Sequence, residues 1–360
     1  MMDGIINVYK ERGFTSHDVV AKLRGILHQK KIGHTGTLDP DAEGVLPVCL
    51  GKATKVCDLL TDWDKEYSAT LLLGITTDTQ DMTGTVLKKC PVFLHERNSL
   101  DDADIAHEPQ GLSEPDGHYL TEDEIRRCIE HFIGEIEQIP PMYSALKVNG
   151  KKLYELARQG VEIERKPRMI HISEIRIARI QEHTLPHSSD NEELSEFPVA
   201  EVQMTVKCSK GTYIRTLCHD IGEKLGCGGC MSALVRTAVG PFSLTDTWRL
   251  SEIEELRDEN RLKECLHQTD SVFMDLKAVQ LNPEAERLVQ NGNPLSPEIM
   301  SRCTMMEDFD GILIDSCSQA EQNRKPDLKP LRLYGQGLNF LAVYEYNEEK
   351  HSWRARKMFL

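Results

Sequence analysis

The most informative segment of the sequence, residues 33–54, reads Gly33-His34-Thr35-Gly36-Thr37-Leu38-Asp39-Pro40-Asp41-Ala42-Glu43-Gly44-Val45-Leu46-Pro47-Val48-Cys49-Leu50-Gly51-Lys52-Ala53-Thr54. Its four glycines and two prolines predict neither a regular helix nor an interior strand, because proline lacks a backbone donor and glycine weakens both structures. Asp39 directly precedes Pro40, whose ring favours an extended backbone at Asp39. The segment therefore predicts a stiff loop that presents a carboxylate, as catalytic side chains are often held.

Three other interpretations of this segment compete with that one. A phosphate-binding P-loop fails, because Leu46 stands where a glycine is required and Ala53 stands where Ser or Thr is required. A metal-dependent aspartyl phosphoryl-transfer site at Asp39 and Asp41 would follow an apolar buried strand, whereas residues 33–37 are polar and rich in glycine. A purely structural turn agrees with the composition, because Gly, Pro and Asp form turns in many proteins.

Resemblance to a known family distinguishes these interpretations. Residues 33–40 and 44–55 resemble the signature of the bacterial tRNA pseudouridine-55 synthases, the TruB family. The resemblance implies that Asp39 is the catalytic nucleophile and that His34 binds substrate. The family's Leu-Ala-Thr-Gly is replaced here by Asp41-Ala42-Glu43-Gly44, and we expect the two additional acids to raise the pKa of Asp39.

The composition indicates a soluble globular protein. The chain has 360 residues, 39% hydrophobic and 28% charged, which suits one large or two ordinary domains. No signal peptide and no apolar run of roughly eighteen residues is recognisable, so we expect a cytoplasmic protein without a membrane contact. The eleven cysteines are expected to be reduced thiols. Cys227-Gly-Gly-Cys230 by itself is a weak zinc motif, so no metal site is expected.

The N-terminal segment predicts a strand and then a helix. Residues 5–9 are mostly apolar, and Thr15 or Ser16 can cap a helix. The apolar face of this helix would comprise Val19, Val20, Leu23, Ile26 and Leu27. The segment resembles the opening of the family's sequences, in which Lys10 would contact RNA, although Tyr9 and Glu11 replace an Asp and a Pro.

Local patterns also predict the elements that follow. Residues 67–74 form a strand, residues 76–84 form a polar loop, and Thr121 with Glu124 forms a capping box at the start of a helix. Resemblance to the family implies that Tyr67 stacks on the target uracil. A core or edge position is otherwise the common environment of a tyrosine.

A hairpin and a helix are predicted between residues 138 and 160. Asn149-Gly150 is a strong two-residue turn signal, and the helix after it is expected to end at Gly160. Lysines at a hairpin tip are usually only solvated. This segment, however, is nearly identical to a segment of the family that meets RNA, which implies phosphate contacts by Lys147 and Lys151.

A strand and a helix are predicted around the motif at residues 209–216. Residues 202–208 alternate as in a strand, and a helix is expected to run through Leu225. The motif resembles the family's Ser-Lys-Gly-Thr-Tyr-Ile-Arg-Thr without substitution. The resemblance implies that Arg215 pairs with the catalytic aspartate and that Tyr213 lies beside it. Such a pair would be two-pronged and would keep the carboxylate ionised, although an ordinary surface ion pair is the common role of an arginine.

Three further site residues follow from the same resemblance. Leu234 and Arg236 align with the family's Leu-Arg-Arg segment, in which Val235 replaces the first arginine. Leu234 is thereby implied to contact the substrate base, and Arg236 and Lys210 are implied to contact RNA.

The composition changes near residue 279. The segments 312–314, 331–334 and 340–346 are expected to be short strands, and residues 315–330 a polar loop. This part resembles the family's C-terminal PUA-like RNA-binding domain. We therefore expect an α+β protein, with a catalytic domain at 1–278 built on a mixed, largely antiparallel sheet, and a small β-rich PUA-like domain at 279–360.

The net charge of -15 disfavours a nucleic-acid partner unless the charge is unevenly distributed. It is uneven: residues 98–118 hold six acids and residues 181–198 hold five, and neither segment contains Lys or Arg. Both segments are polar insertions relative to the family. We expect them to be solvated surface loops away from the RNA.

The resemblance implies a pseudouridine synthase that isomerises uridine 55 in the T-loop of tRNA by flipping the base and attacking with an aspartate. No cofactor and no obligate protein partner is expected, and the T-arm of tRNA is the expected partner. A catalytically silent RNA-folding protein and an RNA-guided relative that modifies ribosomal RNA are the alternatives.

Overall fold

The computed structural model describes residues 2–95, 116–148, 150–185, 197–306 and 329–360. The strands in these ranges are β1 (Gly4–Lys10), β2 (Ile32–His34), β3 (Glu43–Leu50), β4 (Lys65–Leu73), β5 (Ile75–Thr77), β6 (Val86–Lys89), β7 (Val92–Leu94), β8 (His118–Leu120), β9 (Gly134–Gln138), β10 (Lys147–Val148), β11 (Lys151–Lys152), β12 (Arg168–Thr184), β13 (Pro198–Cys208), β14 (Gly229–Val239), β15 (Phe242–Ser243), β16 (Lys277–Gln280), β17 (Thr304–Met306), β18 (Leu331–Tyr334), β19 (Phe340–Asn347) and β20 (Ser352–Met358). The α-helices are α1 (Ser16–Ile26), α2 (Cys57–Asp62), α3 (Glu122–Glu130), α4 (Leu153–Ala157), α5 (Ile214–Leu225), α6 (Leu250–Asp258), α7 (Pro283–Gln290) and α8 (Pro297–Met300). No helix in the described ranges has the length and apolar content that a membrane crossing requires.

A nine-stranded sheet forms the centre of the molecule. Its order is β1-β3-β14-β4-β13-β12-β9, with β2 added to β3 and β15 added to β14. Every pairing in it is antiparallel except that between β14 and β3. A second sheet, ordered β17-β16-β18-β19-β20, follows near the C-terminus. The predicted α+β class, with a mixed, largely antiparallel sheet and a C-terminal β-rich domain, is confirmed.

Strand β3 corrects the prediction that residues 33–54 contain no interior strand. It lies between β1 and β14 even though it contains Pro47. Pro47 is tolerated because its partner in β1, Asn7, directs its backbone carbonyl away from β3, to the N–H of Trp248 at 2.9 Å. The pair therefore needs no hydrogen bond from the proline nitrogen.

The two predicted helix starts are confirmed. Thr15 caps α1 and Thr121 caps α3, and each forms a capping box with the acid three residues later. Two other elements differ from prediction. Helix α4 ends at Ala157 rather than Gly160, because Gly160 follows in a turn with a φ of 70°. Residues 76–77 belong to β5 rather than to a loop.

Hairpin β10–β11 forms as predicted on either side of Asn149, which lies outside the described residues. The predicted strands β18 and β19 are confirmed, whereas residues 312–314 and most of the predicted loop at 315–330 lie outside the described ranges. Helices α7 and α8, which the strand pattern did not predict, accompany this second sheet.

Helix α5 packs closely on the central sheet and carries the motif at residues 209–216 to the edge of a cavity. The approach is possible because Gly222 faces Gly228 and Gly229, where an added Cβ would lie 2.1 Å from the Gly229 nitrogen. Leu217, Cys218 and other buried residues of α5 join the core that includes β4 and β13. A second core joins β1 and β3 to Val343 and Phe359 near the C-terminus.

Candidate active site

Asp39 lies in the loop between β2 and β3, and hydrogen bonds to the N-terminal segment hold this loop. The backbone N–H of Leu38 donates to Ser16 Oγ at 3.0 Å, and that of Gly13 donates to the Pro40 carbonyl at 2.9 Å. Ser16 is fully buried in the first turn of α1. The loop is therefore anchored on both sides of Asp39.

Lys10 also supports this loop, which corrects its predicted role. Its side chain is fully buried, and its Nζ donates to the backbone carbonyls of Glu11, Pro40 and Ala42. Burial lowers the pKa of Lys10 to about 8. A phosphate contact requires an accessible ammonium group, so the RNA contact predicted for Lys10 is wrong.

The guanidinium of Arg215, only 5% exposed, joins two carboxylates. Its Nη2 lies 3.4 Å from Asp39 Oδ2 and its Nη1 lies 3.5 Å from Asp81 Oδ2. Nη2 also donates to the carbonyl of Tyr143 at 2.6 Å. Arg215 and Asp39 pair as predicted, but the expected two-pronged geometry is wrong, because Asp81 and Tyr143 share the guanidinium.

Asp81 is a residue of this site that the sequence interpretation missed. Its carboxylate accepts hydrogen bonds from Thr79 Oγ1 at 2.7 Å and from the Thr83 N–H at 3.0 Å, and the residue is 9% exposed. The only signal in the sequence is an acid between two threonines in a segment that resembles a polar loop. Such a pattern also describes an ordinary Asx turn.

The environment of Asp39 raises the pKa of its carboxyl group. Burial is the largest cause, Arg215 opposes it, and Asp81 and Asp41 raise the pKa further. The side chain keeps 41% of its surface exposed, and this surface opens into cavities rather than onto an outer face. Of the two additional acids, Asp41 thus raises the pKa of Asp39 as expected. Glu43 instead accepts a hydrogen bond from the Tyr9 hydroxyl at 3.4 Å.

A cavity of about 420 Å³ opens in front of Asp39. Tyr67 and Leu234 line it, and both are wholly or partly buried. The remaining lining residues come from the Asp39 loop, the end of α2, the start of β4, the segment before β10, the connection from β13 into α5, and β14: Gly36, Thr37, Leu38, Thr61, Lys65, Ser144, Ala145, Leu146, Ser209, Lys210, Gly211, Thr212, Tyr213, Ile214, Arg215, Met231 and Arg236. The structure thus brings together seven of the predicted site residues around this cavity: Asp39, Tyr67, Lys210, Tyr213, Arg215, Leu234 and Arg236.

A second cavity, of about 540 Å³, also borders Asp39. Both cavities are lined by Asp39, Arg215 and Leu234. The second also contacts basic side chains, including Arg12 and Lys152. Asp39 therefore borders both cavities.

Tyr213 is the residue before α5, and a side chain from another strand holds its backbone. Gln138, at the end of β9, accepts a hydrogen bond from the Tyr213 N–H at 2.8 Å and donates to the Tyr213 carbonyl at 3.0 Å. Gln138 is 2% exposed. This paired contact fixes the backbone two residues before Arg215.

Arg236 lies beneath the cavity rather than on the surface. The residue is 1% exposed, and its Nε donates to the Val45 carbonyl at 2.7 Å. Its burial contradicts the predicted phosphate contact at a protein surface. The charge of Arg236 interacts with Tyr67, which stands opposite it in the pairing of β14 with β4.

The remaining predicted residues lie around the site. Lys147 and Lys151 are exposed on the β10–β11 hairpin, and Lys210 at the cavity edge forms an exposed ion pair with Asp62 at 2.8 Å. His34 contacts the Gly36 carbonyl through Nδ1 at 3.0 Å and does not line either cavity.

The cysteine pair at 227 and 230 is buried. Burial raises the pKa of both thiols to about 12, so both are protonated at neutral pH. Across the described ranges, no cluster of three or more His, Cys, Asp or Glu side chains is arranged to hold a metal ion.

Comparison with known proteins identifies the class to which this site belongs. The model of the N-terminal domain of TruB family pseudouridylate synthases matches residues 24–106 and 92–214, and that of the tRNA pseudouridylate synthase B C-terminal domain matches residues 215–274. The chain therefore belongs to the TruB family of pseudouridylate synthases.

Individual relatives agree with this assignment. The chain is 48% identical to tRNA pseudouridine synthase B of Lachnoclostridium phytofermentans over 100% of both chains. It is 43% identical to the protein of the same name from Clostridium perfringens, over 81% of this chain and 84% of the relative. A solved H/ACA RNP bound to a substrate RNA contains a similar fold, with a TM-score of 0.61, 22% identity and coverage of 99% of this chain and 85% of that chain.

Proposed function

We propose that this protein isomerises uridine 55 in the T-loop of tRNA to pseudouridine, with Asp39 as the nucleophile. The observation that carries the proposal is the Asp39 carboxylate, held 3.4 Å from Arg215 at a cavity lined by Tyr67 and Leu234. This cavity suits a flat, uncharged base attached to a ribose, because it combines a carboxylate and a guanidinium with an aromatic ring and an aliphatic side chain.

The size of the cavity supports a flipped nucleotide as its occupant. Its volume of about 420 Å³ falls within the range of small-molecule sites, roughly 300–1,000 Å³. A base within a folded RNA must leave its stack to reach such a cavity, and unstacking costs less for a loop nucleotide than for a paired one.

Asp39 then acts covalently on the nucleotide, the bond between ribose C1′ and uracil N1 breaks, and C5 of the rotated base forms the new bond to C1′. Attack on the sugar, attack on the base and prior removal of a sugar proton all start from the same carboxylate. The reaction rearranges one nucleotide and leaves its atomic composition unchanged, so its stoichiometry includes no co-substrate.

The relatives support tRNA over ribosomal RNA as the substrate. Relatives named tRNA pseudouridine synthase B share up to 48% identity with this chain in the comparisons above, whereas the H/ACA protein shares 22% and supports only the fold. The exposed Lys147 and Lys151 near the cavity supply cations for the T-arm backbone. We further infer a cytoplasmic location, because the described cysteines are all free thiols and thiols stay reduced there.

The proposal is tested with tRNA transcripts that carry tritium at C5 of every uridine. The isomerisation exchanges the C5 hydrogen of one uridine, so one equivalent of tritium should be released per tRNA. A transcript with cytidine at position 55 is the matched control and should release none. Equal release from both transcripts would contradict the assignment to uridine 55, and no release from either would contradict the activity.

A further inference from the structure

Arg236 carries a buried charge for which the described part of the chain supplies no carboxylate. It is among the largest fully buried side chains, and it takes part in no ion pair with a described residue. Nε donates to Val45, whereas Nη2 is buried and has no hydrogen-bond partner among the described residues. Burying an uncompensated guanidinium costs free energy, so a structural role alone would be served better by an apolar residue.

The guanidinium lies between the aromatic wall of the cavity and the loop that carries Asp39. Arg236 and Tyr67 are direct partners in the pairing of β14 with β4, so both side chains lie on the same face of the sheet. Nη1 lies 3.7 Å from the position that a Cβ on Gly36 would occupy. Arg236 therefore reaches from the sheet to the loop directly beneath the cavity.

Tyr67 is coupled to this charge. Burial raises the pKa of the Tyr67 hydroxyl, and the charge of Arg236, which faces Tyr67 across the two strands, acts in the opposite direction. Arg236 also contributes to lowering the pKa values of Lys10 and Lys65, after the larger effect of burial, whereas Asp39, Asp41 and Glu43 raise that of Lys10. The guanidinium that faces Tyr67 in the strand pairing is therefore the cation on which the inference depends.

We propose that Arg236 is a positioning residue for the reaction: its guanidinium holds the oxygen of Tyr67 so that the hydroxyl donates to the uracil at the moment the base becomes an anion. This inference rests on the proposed function, since it requires a uracil in the cavity. A hydroxyl that accepts a hydrogen bond from a cation becomes a stronger donor itself. Preorganised donors of this kind stabilise charge that appears only during the reaction.

The charge arises in one defined step. When the bond between C1′ and N1 breaks, its electron pair stays with the base, which is then a uracil anion beside the sugar. In the route that begins with attack on the sugar, this charge leaves the base when C5 bonds to C1′ and the bond between C1′ and Asp39 breaks, which restores the carboxylate. The C5 proton then passes to solvent and N1 takes up a proton. Arg236 and the Tyr67 hydroxyl neither gain nor lose an atom in this sequence.

The test compares Arg236→Met, Tyr67→Phe and the double variant by single-turnover tritium release from saturating tRNA. We expect Arg236→Met to slow the chemical step by about 100-fold, the loss typical of removing one such donor. The double variant should be little slower than Tyr67→Phe alone, because Arg236 acts through the hydroxyl. Arg126→Met, on the exposed face of α3, is the matched control and should keep the wild-type rate.

Thermal unfolding separates this role from a structural one. Removing a buried, unpaired charge should leave the melting temperature of Arg236→Met unchanged or raise it, whereas a structural arginine would lower it or prevent folding. An unchanged rate, a rate loss that multiplies with that of Tyr67→Phe, or a destabilised Arg236→Met would each overturn the inference. The proposed function would remain intact in all three cases, because it is tested separately by tritium release from the wild-type enzyme with the uridine-55 and cytidine-55 transcripts.

Discussion

At the scale of single residues, the ionisation of Asp39 depends on a guanidinium that is shared. Arg215 lies 3.4 Å from Asp39 and 3.5 Å from Asp81, so each acid receives only part of its charge. Burial and Asp81 raise the pKa of Asp39 and Arg215 lowers it. A nucleophilic carboxylate must be ionised, so these contacts set the lower pH limit of the reaction.

Substitutions of Asp81 and of Arg215 should shift the lower pH limit of activity in opposite directions. Asp81→Asn removes a negative charge and leaves Asp39 as the only described carboxylate paired with Arg215. The pKa of Asp39 therefore falls, and activity persists to lower pH. Arg215→Met removes the positive charge, so the pKa rises and activity is lost at higher pH. The measurement is the pH dependence of the single-turnover rate, with each variant normalised to its own plateau.

Shifts in the same direction for Asp81→Asn and Arg215→Met would contradict this electrostatic account. Asp78→Asn is a suitable control, because its carboxylate accepts a hydrogen bond from the Thr85 N–H and does not line either cavity. Its pH limit should match that of the wild-type enzyme.

At the scale of secondary-structure elements, the contact between β9 and the start of α5 positions Arg215. Gln138 makes two hydrogen bonds to the backbone of Tyr213, 75 residues away along the chain. Local patterns predicted β13 and α5 correctly, because the hydrophobic periodicity that indicates each element lies within the element's own sequence. The Gln138 contact has no such signal, because it depends on which strands become neighbours in space.

Gln138→Glu should therefore slow the reaction in a way that acid reverses. The introduced carboxylate, when ionised, would present only acceptors and repel the Tyr213 carbonyl, which displaces Arg215 and costs on the order of 100-fold in rate. A protonated carboxyl group can both donate and accept, as the glutamine amide does. Burial raises its pKa, so the rate relative to wild type should recover as the pH falls below neutral.

The quantity to follow is the rate of Gln138→Glu divided by the wild-type rate at each pH, because the titration of Asp39, common to both proteins, cancels in this ratio. Gln138→Met, which cannot restore either hydrogen bond, should show a constant ratio across the same pH range. A constant ratio for Gln138→Glu as well would show that the Gln138 contact does not position the site.

The wrong predictions for Lys10 and Arg236 have one physical cause. A sequence interpretation places basic residues on the surface, because burying a charge is costly. Here, the Lys10 ammonium donates to the backbone carbonyls of Glu11, Pro40 and Ala42, and the Arg236 guanidinium lies beneath the cavity. Buried basic residues of this kind are expected at functional sites, where the usual preference of charged side chains for the surface is overridden.

At the scale of the whole molecule, the fold class could be predicted but the strand order could not. The parallel pairing of β14 with β3 brings Val235 opposite Glu43 and Arg236 opposite Gly44, and so joins the segment 234–236 to the segment that contains Asp39. A Cβ on Gly44 would lie 2.2 Å from the Arg236 carbonyl oxygen, so this close approach requires glycine. No local pattern reveals which two of nine strands will pair.

The described ends of the two acidic segments belong to strands. His118 begins β8, residues 181–184 belong to β12 and Pro198 begins β13, which corrects the predicted loops there, while residues 96–115 and 186–196 lie outside the described ranges. Their effect on tRNA binding is therefore tested with a trimmed deletion of residues 98–115 and 186–196. These ranges contain five and four acids, so the deletion removes nine negative charges.

If both ranges lie away from the RNA, the deletion should tighten tRNA binding at low ionic strength and change it little at physiological salt, where the Debye length is about 8 Å. The chemical step should keep its wild-type rate. A variant with the nine acids replaced by Asn and Gln controls for chain length and should behave in the same way. Weaker binding by the deletion protein at every salt concentration would show that the segments contribute to function.

The central claim, that Asp39 forms the covalent bond to the nucleotide, is tested most directly by single-turnover tritium release with Asp39→Asn. The amide keeps the shape of the side chain but is a poor nucleophile, so we expect no detectable release. Binding of tRNA should stay within about tenfold of wild type, or roughly 1.4 kcal/mol. Release by Asp39→Asn at even about a tenth of the wild-type rate, an increase of only about 1.4 kcal/mol in the activation barrier, would contradict the account.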